Sequence, residues 1–318
     1  MTDLNLSHAM ELPSISIITP SYNQGRFLEA TLRSVLEQGY ARLEHLVIDG
    51  GSTDESVEVI RRYQQHLAYW VSERDRGQVH AINKGLAKAT GDVVAFLNSD
   101  DLHLPGALAA VGDHFQRNPA CQWLCGDTIL FGEKHATSLV HAIIPKSAAH
   151  CLCWAYKAPQ PGMFWKRELL QGGFQECWPF DFDHDMYIRL LLAGQRCEHL
   201  PVPVAAYRLH PTSKTVAEGA RQIEEFERIA EHYESRLRGA DRRWCAATRL
   251  LRRSYAASQA GQARSAAVLL LRALHRHPES VAHRPFWGCL RRLFLSALDN
   301  APRDPDRRSS PAAGNERL

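Results

Sequence analysis

Long apolar runs are missing from this 318-residue chain. The longest candidates are no more extended than Ala266 to Leu271, well below the roughly 18 uncharged apolar residues that a membrane-spanning helix requires. The opening MTDLNLSHAMELPS carries Asp3 and Glu11 and lacks a basic n-region and an apolar h-region. A secretory signal is therefore not expected, and the cytoplasm is the expected compartment. Cysteine is also sparse. Eight cysteines in a chain of this length do not make a disulfide framework, so reduced and mostly buried thiols are expected. No CxxC pair occurs, and His150, Cys151 and Cys153 lack a second ligand pair at zinc-finger spacing, so they read as core.

Lysine is absent from the last quarter of the chain. From Arg236 to Leu318 there are 17 arginines against six acidic residues. Because the whole chain carries only +3, the body that precedes this stretch is acidic. An arginine-rich end on an acidic body points to an anionic partner, a membrane surface or a nucleic acid. Trp244, Leu250, Leu251, Phe286, Trp287, Leu290, Leu293 and Phe294 are interspersed with these arginines, a mixture that suits peripheral contact with a membrane and makes nucleic acid the weaker candidate. Helices packing the same apolar residues on the rest of the chain, or on a second subunit in an oligomer, are the competing explanation.

What is present is a folded composition, 45% hydrophobic, arranged in four stretches. Residues 1–13 form an N-terminal extension, 14–215 an α/β domain, 216–300 a helical region, and 301–318 a Pro-, Arg- and Ser-rich tail of disordered composition. In the domain, short apolar runs at Ile15 to Thr19, His45 to Asp49, Tyr69 to Ser72, Val93 to Leu97 and Trp123 to Cys125 predict buried strands. Between them, Phe27, Leu28, Thr31, Leu32, Val35 and Leu36 recur at helical spacing, as do Val79, Ile82, Leu86 and Ala89. A further helix is predicted from about Asp185 to Ala193, and another from Gly261 to His277, stopped by Pro278.

The segment FLNSDD, residues 96–101, ends an apolar strand in Asn98, Ser99, Asp100 and Asp101. Open α/β sheets bind ligands at the carboxyl ends of their strands. Crowded carboxylates repel one another, so a divalent cation is a natural way to hold both ionised. A polar turn in which Asp101 caps the following helix is the alternative.

Three segments in order, ISIITPSYNQGRFLEATLRSVLEQGY, HLVIDGGSTDESVEVI and INKGLAKATGDVVAFLNSDDLHLPGAL, resemble the family 2 glycosyltransferases. That resemblance implies a GT-A fold, an α/β Rossmann-like mixed sheet flanked by helices, here with a C-terminal helical appendage. It runs from about Ile15 to Ser213. It implies that Pro20, Tyr22 and Asn23 form the first loop beside a nucleotide, and that Asp49 recognises the base or ribose. The chemistry suits both, since an aromatic ring offers a stacking face and a carboxylate accepts from an imide or hydroxyl. Packing for Tyr22 and turn formation for Asp49 are the plainer alternatives.

The family's acidic motif begins with Asp, as DSDD, where this chain has Asn98. The expectation is that Asn98 and Ser99 contact the donor while Asp100 carries the cation, Mn²⁺ or Mg²⁺, with Asp101 beside it. Lys84 and Arg76 flank the same region and can neutralise a diphosphate, although solvated surface charge explains them as well. By the same resemblance QPGMFWKRELLQGGF places Gln160, Pro161 and Trp165 on the acceptor side. PFDFDHDMYIRLLLAG aligns Asp183 with a general base and Asp185 with its acidic companion, and helix capping is the alternative for both. YRLHPTS resembles a closing YRxHxxS motif that brings Tyr207, Arg208, His210 and Ser213 over the donor, with Arg208 on phosphate and His210 on phosphate or cation.

The implied activity is inverting transfer of a sugar from a nucleoside-diphosphate donor, a UDP-sugar foremost, to a hydroxyl of a glycan or glycolipid in cell-surface polysaccharide synthesis. A non-catalytic nucleotide-sugar binder is the alternative, and the missing first acid of the motif is what favours it. A nucleotidyltransferase is weaker, because PSYNQGRF is not a glycine-rich, lysine-bearing loop.

Overall fold

The computed structural model of the protein describes residues 11–133 and 135–279, together with Trp287 and Leu290. Most of the N-terminal extension, the 301–318 tail, Phe286, Leu293 and Phe294 lie outside the described residues. In chain order the elements are β1 (Ile15–Ser21), α1 (Gly25–Leu36), β2 (Leu43–Asp49), α2 (Ser56–Tyr63), β3 (Tyr69–Ser72), α3 (Gln78–Leu86), β4 (Val93–Phe96), β5 (Leu102–His103) and α4 (Ala107–Arg117). There follow β6 (Trp123–Gly132), β7 (His135–Val140), α5 (Ala148–Leu152), β8 (Met163–Lys166), α6 (Phe182–Leu192), β9 (Cys197–Arg208), α7 (Lys214–Ala217), α8 (Gly219–Glu234), α9 (Gly239–Gln259) and α10 (Ala263–Arg276).

The strands make one mixed sheet in the order β3-β2-β1-β4-β8-β6-β9-β5, with β7 also paired to β6. β3, β2, β1 and β4 are parallel, and β8 joins β4 antiparallel. The chain moves outward from β1 to β3 and then returns to place β4 on the other side of β1. This switch point is where an open parallel sheet leaves a crevice beyond its strand ends.

Both faces of the parallel half are covered, which is why its strands read as continuous apolar runs. Ile15 and Ile17 face Val35 of α1 and Leu108 and Val111 of α4. Ile18, on the other face, meets α3 at Gly85, where a Cβ would overlap Ile18 Cγ2. Leu28 and Leu32 of α1 pack with Val47 of β2 and Val59 and Ile60 of α2. β3, at the sheet edge, is only half-buried.

The chain divides between Tyr233 and Glu234 into two compact units. The division falls later than residue 215 because α8 joins the first unit, where Tyr233 donates its hydroxyl to Asp185 Oδ1 at 2.6 Å. In the second unit α9 and α10 pack through Ala247, Leu251, Leu270 and Ala273, with Leu250 and Leu290 against them. Leu250, Leu251 and Leu290 are thus engaged within this unit, whereas Trp287 is 58% exposed.

Candidate active site

The ends of β1 and β2 build the first wall. Asn23 takes φ +52°, and the turn is held from both sides: its N–H donates to Ser52 Oγ at 2.8 Å, and its Oδ1 accepts from the Thr53 N–H at 2.8 Å. This leaves the Tyr22 ring 61% exposed beside Pro20, which is buried in β1. Asp49 is fully buried at the end of β2. Its Oδ2 accepts from the backbone N–H groups of Gly51 and Ser52, at 3.1 and 2.8 Å, and from Ser72 Oγ at 2.7 Å. Its Oδ1 accepts from Ser52 Oγ. The carboxylate therefore fixes the Gly50–Ser52 turn as an Asx residue does.

Beyond β4 the backbone turns through Asn98 to Asp101. Thr31 Oγ1 donates to the carbonyls of Ser99 and Asp101 at 2.9 and 2.8 Å, tying the turn to α1 and leaving Ser99 buried. Asn98 sits in a chain of side-chain amides. Its Oδ1 accepts from Gln78 Nε2 at 2.7 Å, and its Nδ2 donates to Asp101 Oδ2 and Gln160 Oε1, each at 3.3 Å. Gln160 in turn donates to the Phe96 carbonyl at 2.8 Å.

The two adjacent acids differ sharply. Asp101 is fully buried and its Oδ1 accepts the Arg208 N–H at 2.9 Å. Burial, and then the Asp100 charge, push its carboxyl well above the usual carboxylate range. Asp100 keeps 16% of its side chain exposed and meets His210 Nε2 through Oδ2 at 2.9 Å. Of the three residues expected to share a cation, Asp100 and His210 are the two whose polar atoms meet, while Asp101 faces the backbone of β9. The pair fits a hard or borderline cation, since an anionic oxygen and an imidazole nitrogen meet at one point.

Arg208 donates through Nε to the Asp100 carbonyl at 2.8 Å. Its guanidinium lies 4.8 Å from the Phe27 ring centroid and 4.5 Å from that of Phe131. The His210 ring lies 4.7 Å from that of Phe27, tilted by 47°, and its Nδ1 faces Thr212 Oγ1 at 3.0 Å. Arg26, which sequence reasoning passed over, donates to Thr212 at 2.8 Å and lies 4.3 Å over Phe27. Two guanidinium groups beside the Asp100–His210 pair make that edge cationic, and a guanidinium fork suits phosphate oxygens. Lys84 is instead paired with Glu73 at 2.6 Å, and Arg76 makes a fork to Glu176 with both contacts at 2.9 Å.

The opposite wall comes from α6, which begins at Phe182, a turn earlier than expected, so that Asp183 and Asp185 both lie in its first turn. Asp185 is committed: it accepts from Arg189 Nε at 2.8 Å and from Tyr233. Asp183 is half-buried and accepts the His184 N–H at 2.9 Å. Burial, helped by the charge of Asp181, raises its pKa against the opposing effect of His184. Tyr207 lies between the walls. Burial, with the Asp101, Asp100 and Asp183 charges adding to it, pushes its hydroxyl up to about 12.

Lys214 also bridges the walls, donating to Gln78 Oε1 at 3.1 Å and to the Pro179 carbonyl. Sequence reasoning missed it, although it follows Ser213 directly. Asp181 was missed too. It is fully buried, and its Oδ1 accepts from His184 at 2.9 Å and Gln222 at 3.0 Å. Trp165, expected on the acceptor side, is fully buried between Phe96 and Tyr187. Pro161 is buried as well, leaving Gln160 as the half-buried residue of that segment. Cys151 and Cys153 are buried in and after α5, as a core reading requires.

An uncharacterised glycosyltransferase of Mycobacterium tuberculosis is 46% identical over 90 residues, 28% of this chain and 34% of that protein. Another, from Nostoc, is 31% identical over 175 residues, 50% of this chain and 53% of that protein. The chain thus spans between a third and about half of the length of these curated relatives. Among solved structures, residues 1–349 of S. aureus TarS in complex with UDP-GlcNAc superimpose with TM-score 0.61 at 16% identity, covering 89% of each chain. A mannosyltransferase from Pyrobaculum calidifontis, in complex with GDP-Man and Mn²⁺, gives TM-score 0.51 at 21% identity, covering 92% of this chain and 88% of that one. The likeness gives the mixed sheet its fold type, GT-A. The sequence model of glycosyl transferase family 2 matches residues 16–185, more than half of the chain, and the protein belongs to that family.

Proposed function

We propose that this transferase moves a sugar from a UDP-sugar to a hydroxyl of a glycan or glycolipid, with inversion, and that Asp183 is its general base. The observation that carries this reading is the contrast within α6: Asp185 is held by the side chains of Arg189 and Tyr233, whereas Asp183 has a raised pKa and accepts the backbone N–H of His184. Inversion requires a base on the face opposite the departing diphosphate. Asp183 belongs to a different wall from the FLNSDD turn, as that requires.

Asp100 and His210 would hold a divalent cation, Mn²⁺ or Mg²⁺, together with diphosphate oxygens; when bound it supplies positive charge to the leaving group. Around it, Arg26 and Arg208 present their guanidinium groups to phosphate, and Tyr22 offers an exposed ring to the base. Gln78, Asn98 and Gln160 give neutral donors and acceptors to ribose and sugar hydroxyls. Asp49 serves by holding the turn beside the base. TuaG of Bacillus subtilis, 39% identical over 94 residues, is described as a putative teichuronic acid biosynthesis glycosyltransferase, which supports a cell-surface polysaccharide acceptor. The place of action we propose is the cytoplasmic side of a membrane.

Thermal stabilisation of the purified chain by UDP-sugars and GDP-sugars, with and without Mn²⁺, tests the donor assignment. A UDP-sugar should raise the melting temperature more in the presence of Mn²⁺. Release of UDP from that sugar then separates a transferase from a binder, since binding without turnover would support the binder.

A further inference from the structure

Away from the cleft, three side chains of different chemistry converge. His114 lies in the last turn of α4, Cys121 in the loop entering β6, and Glu198 at the start of β9. One ligand atom from each lies within 4.8 Å of the other two. His114 Nε2 meets Glu198 Oε2 at 2.9 Å, and Cys121 is 1% exposed. Glu198 and Arg208 sit near opposite ends of β9, opposite Leu124 and Phe131 of β6, about 23 Å apart along that strand. The cluster is therefore separate from the donor cleft.

We propose that His114, Cys121 and Glu198 form a zinc site. The donor set selects the metal, since sulfur and imidazole favour a borderline-soft cation over Mg²⁺ or Mn²⁺. Three protein ligands leave one position of a tetrahedron for water. The Glu198 side chain is 41% exposed, which provides both that position and an entry path. The buried Cys121 thiol faces His114 and Glu198 in the same cluster. Its other contact, to the Trp123 carbonyl at 3.7 Å, is weak and easily exchanged for a metal bond.

The position gives the site a purpose. α4 begins just after the Asp100–Asp101 turn, and β9 ends in Arg208, two residues before His210. A metal joining their distal ends would fix the placement of α4 against the strand that leads into Arg208 and His210.

Titrating the full chain with Co²⁺, a spectroscopic substitute for zinc, tests the assignment. One equivalent should produce thiolate-to-cobalt charge-transfer absorption in the near ultraviolet, which Zn²⁺ then removes. The band should vanish in Cys121→Ser and persist in Cys177→Ser, where an exposed cysteine is changed. Glu198→Gln and His114→Gln alter partly exposed side chains that the fold tolerates, and each should weaken Co²⁺ binding at least about tenfold, the scale found even for residues that only support ligands. A cation at Asp100 and His210 has no sulfur ligand and gives no such band, so the outcome is independent of the proposed transferase chemistry. Absence of the band in the full chain, its survival in Cys121→Ser, or unchanged affinity in both glutamine variants would overturn the zinc site.

Discussion

Side chains that are neighbours in sequence have divided their work by burial and hydrogen bonding. Asp183→Asn keeps the shape of the α6 N-terminus but cannot take a proton, so turnover should fall by roughly 10² to 10⁴ with donor affinity unchanged in a calorimetric titration. Asp185→Asn should act on stability instead. It disturbs the acceptors of Arg189 and Tyr233, a cost of about 1–3 kcal/mol readable as a lower melting temperature. The other acidic pair divides likewise. Asp100→Ala should abolish the Mn²⁺ dependence of UDP binding, whereas Asp101→Asn should keep it. Asp101 also predicts a pH effect. Its folded pKa is raised by burial, so the protonated form favours the fold, and that contribution is lost as pH rises through the raised value. Asp101→Asn should therefore gain in melting temperature relative to the wild type from acidic to neutral pH, measured without cation. A constant difference across pH would contradict this.

At the scale of elements, helix and strand positions in the parallel half were legible because burial on both sheet faces leaves long apolar runs. β6 was underestimated, since Gly126, Asp127 and Thr128 interrupt its apolar run before it continues through Ile129, Leu130 and Phe131, paired with β7 and β9. α6 starts early because Asp181 and Asp183 sit within and before its first turn, where apolar spacing gives no signal. Close packing of α3 on β1 yields a further prediction. Gly85 has no room for a Cβ against Ile18, itself 1% exposed, so Gly85→Ala should cost about 1–3 kcal/mol through overpacking. Because α3 carries Gln78 at its start, donor affinity should weaken as well. Chemical denaturation together with UDP titration checks both effects.

At the scale of the whole molecule, the arginine-rich end belongs to a unit with its own small core, and no helix among the described residues is long and apolar enough to cross a membrane. Membrane contact would then be peripheral and electrostatic, with residues such as the exposed Trp287 adding an apolar component. Because α8 packs with the first unit, the informative truncation ends at Tyr233. The full chain should sediment with anionic phosphatidylglycerol vesicles, more weakly as salt rises, while the truncated chain should not. Equal sedimentation of the two would remove the membrane role.

Local pattern suffices for the order of strands and helices in the parallel half and for the residues set at its strand ends. Both are local: an apolar run declares a buried strand, and Asn98 to Asp101 follow β4 directly whatever the rest of the chain does. Tertiary structure alone decided which of those residues meet. His210 reaches Asp100 across 110 positions, and Asp101 is turned instead to the backbone of β9 by the β5 pairing. The same holds for Trp165, since Met163, Phe164 and Trp165 are apolar in succession and only pairing with Val94 and Trp123 chooses the face. Side-chain direction in a sheet depends on register, and register is fixed by partners distant in sequence, which no local pattern encodes.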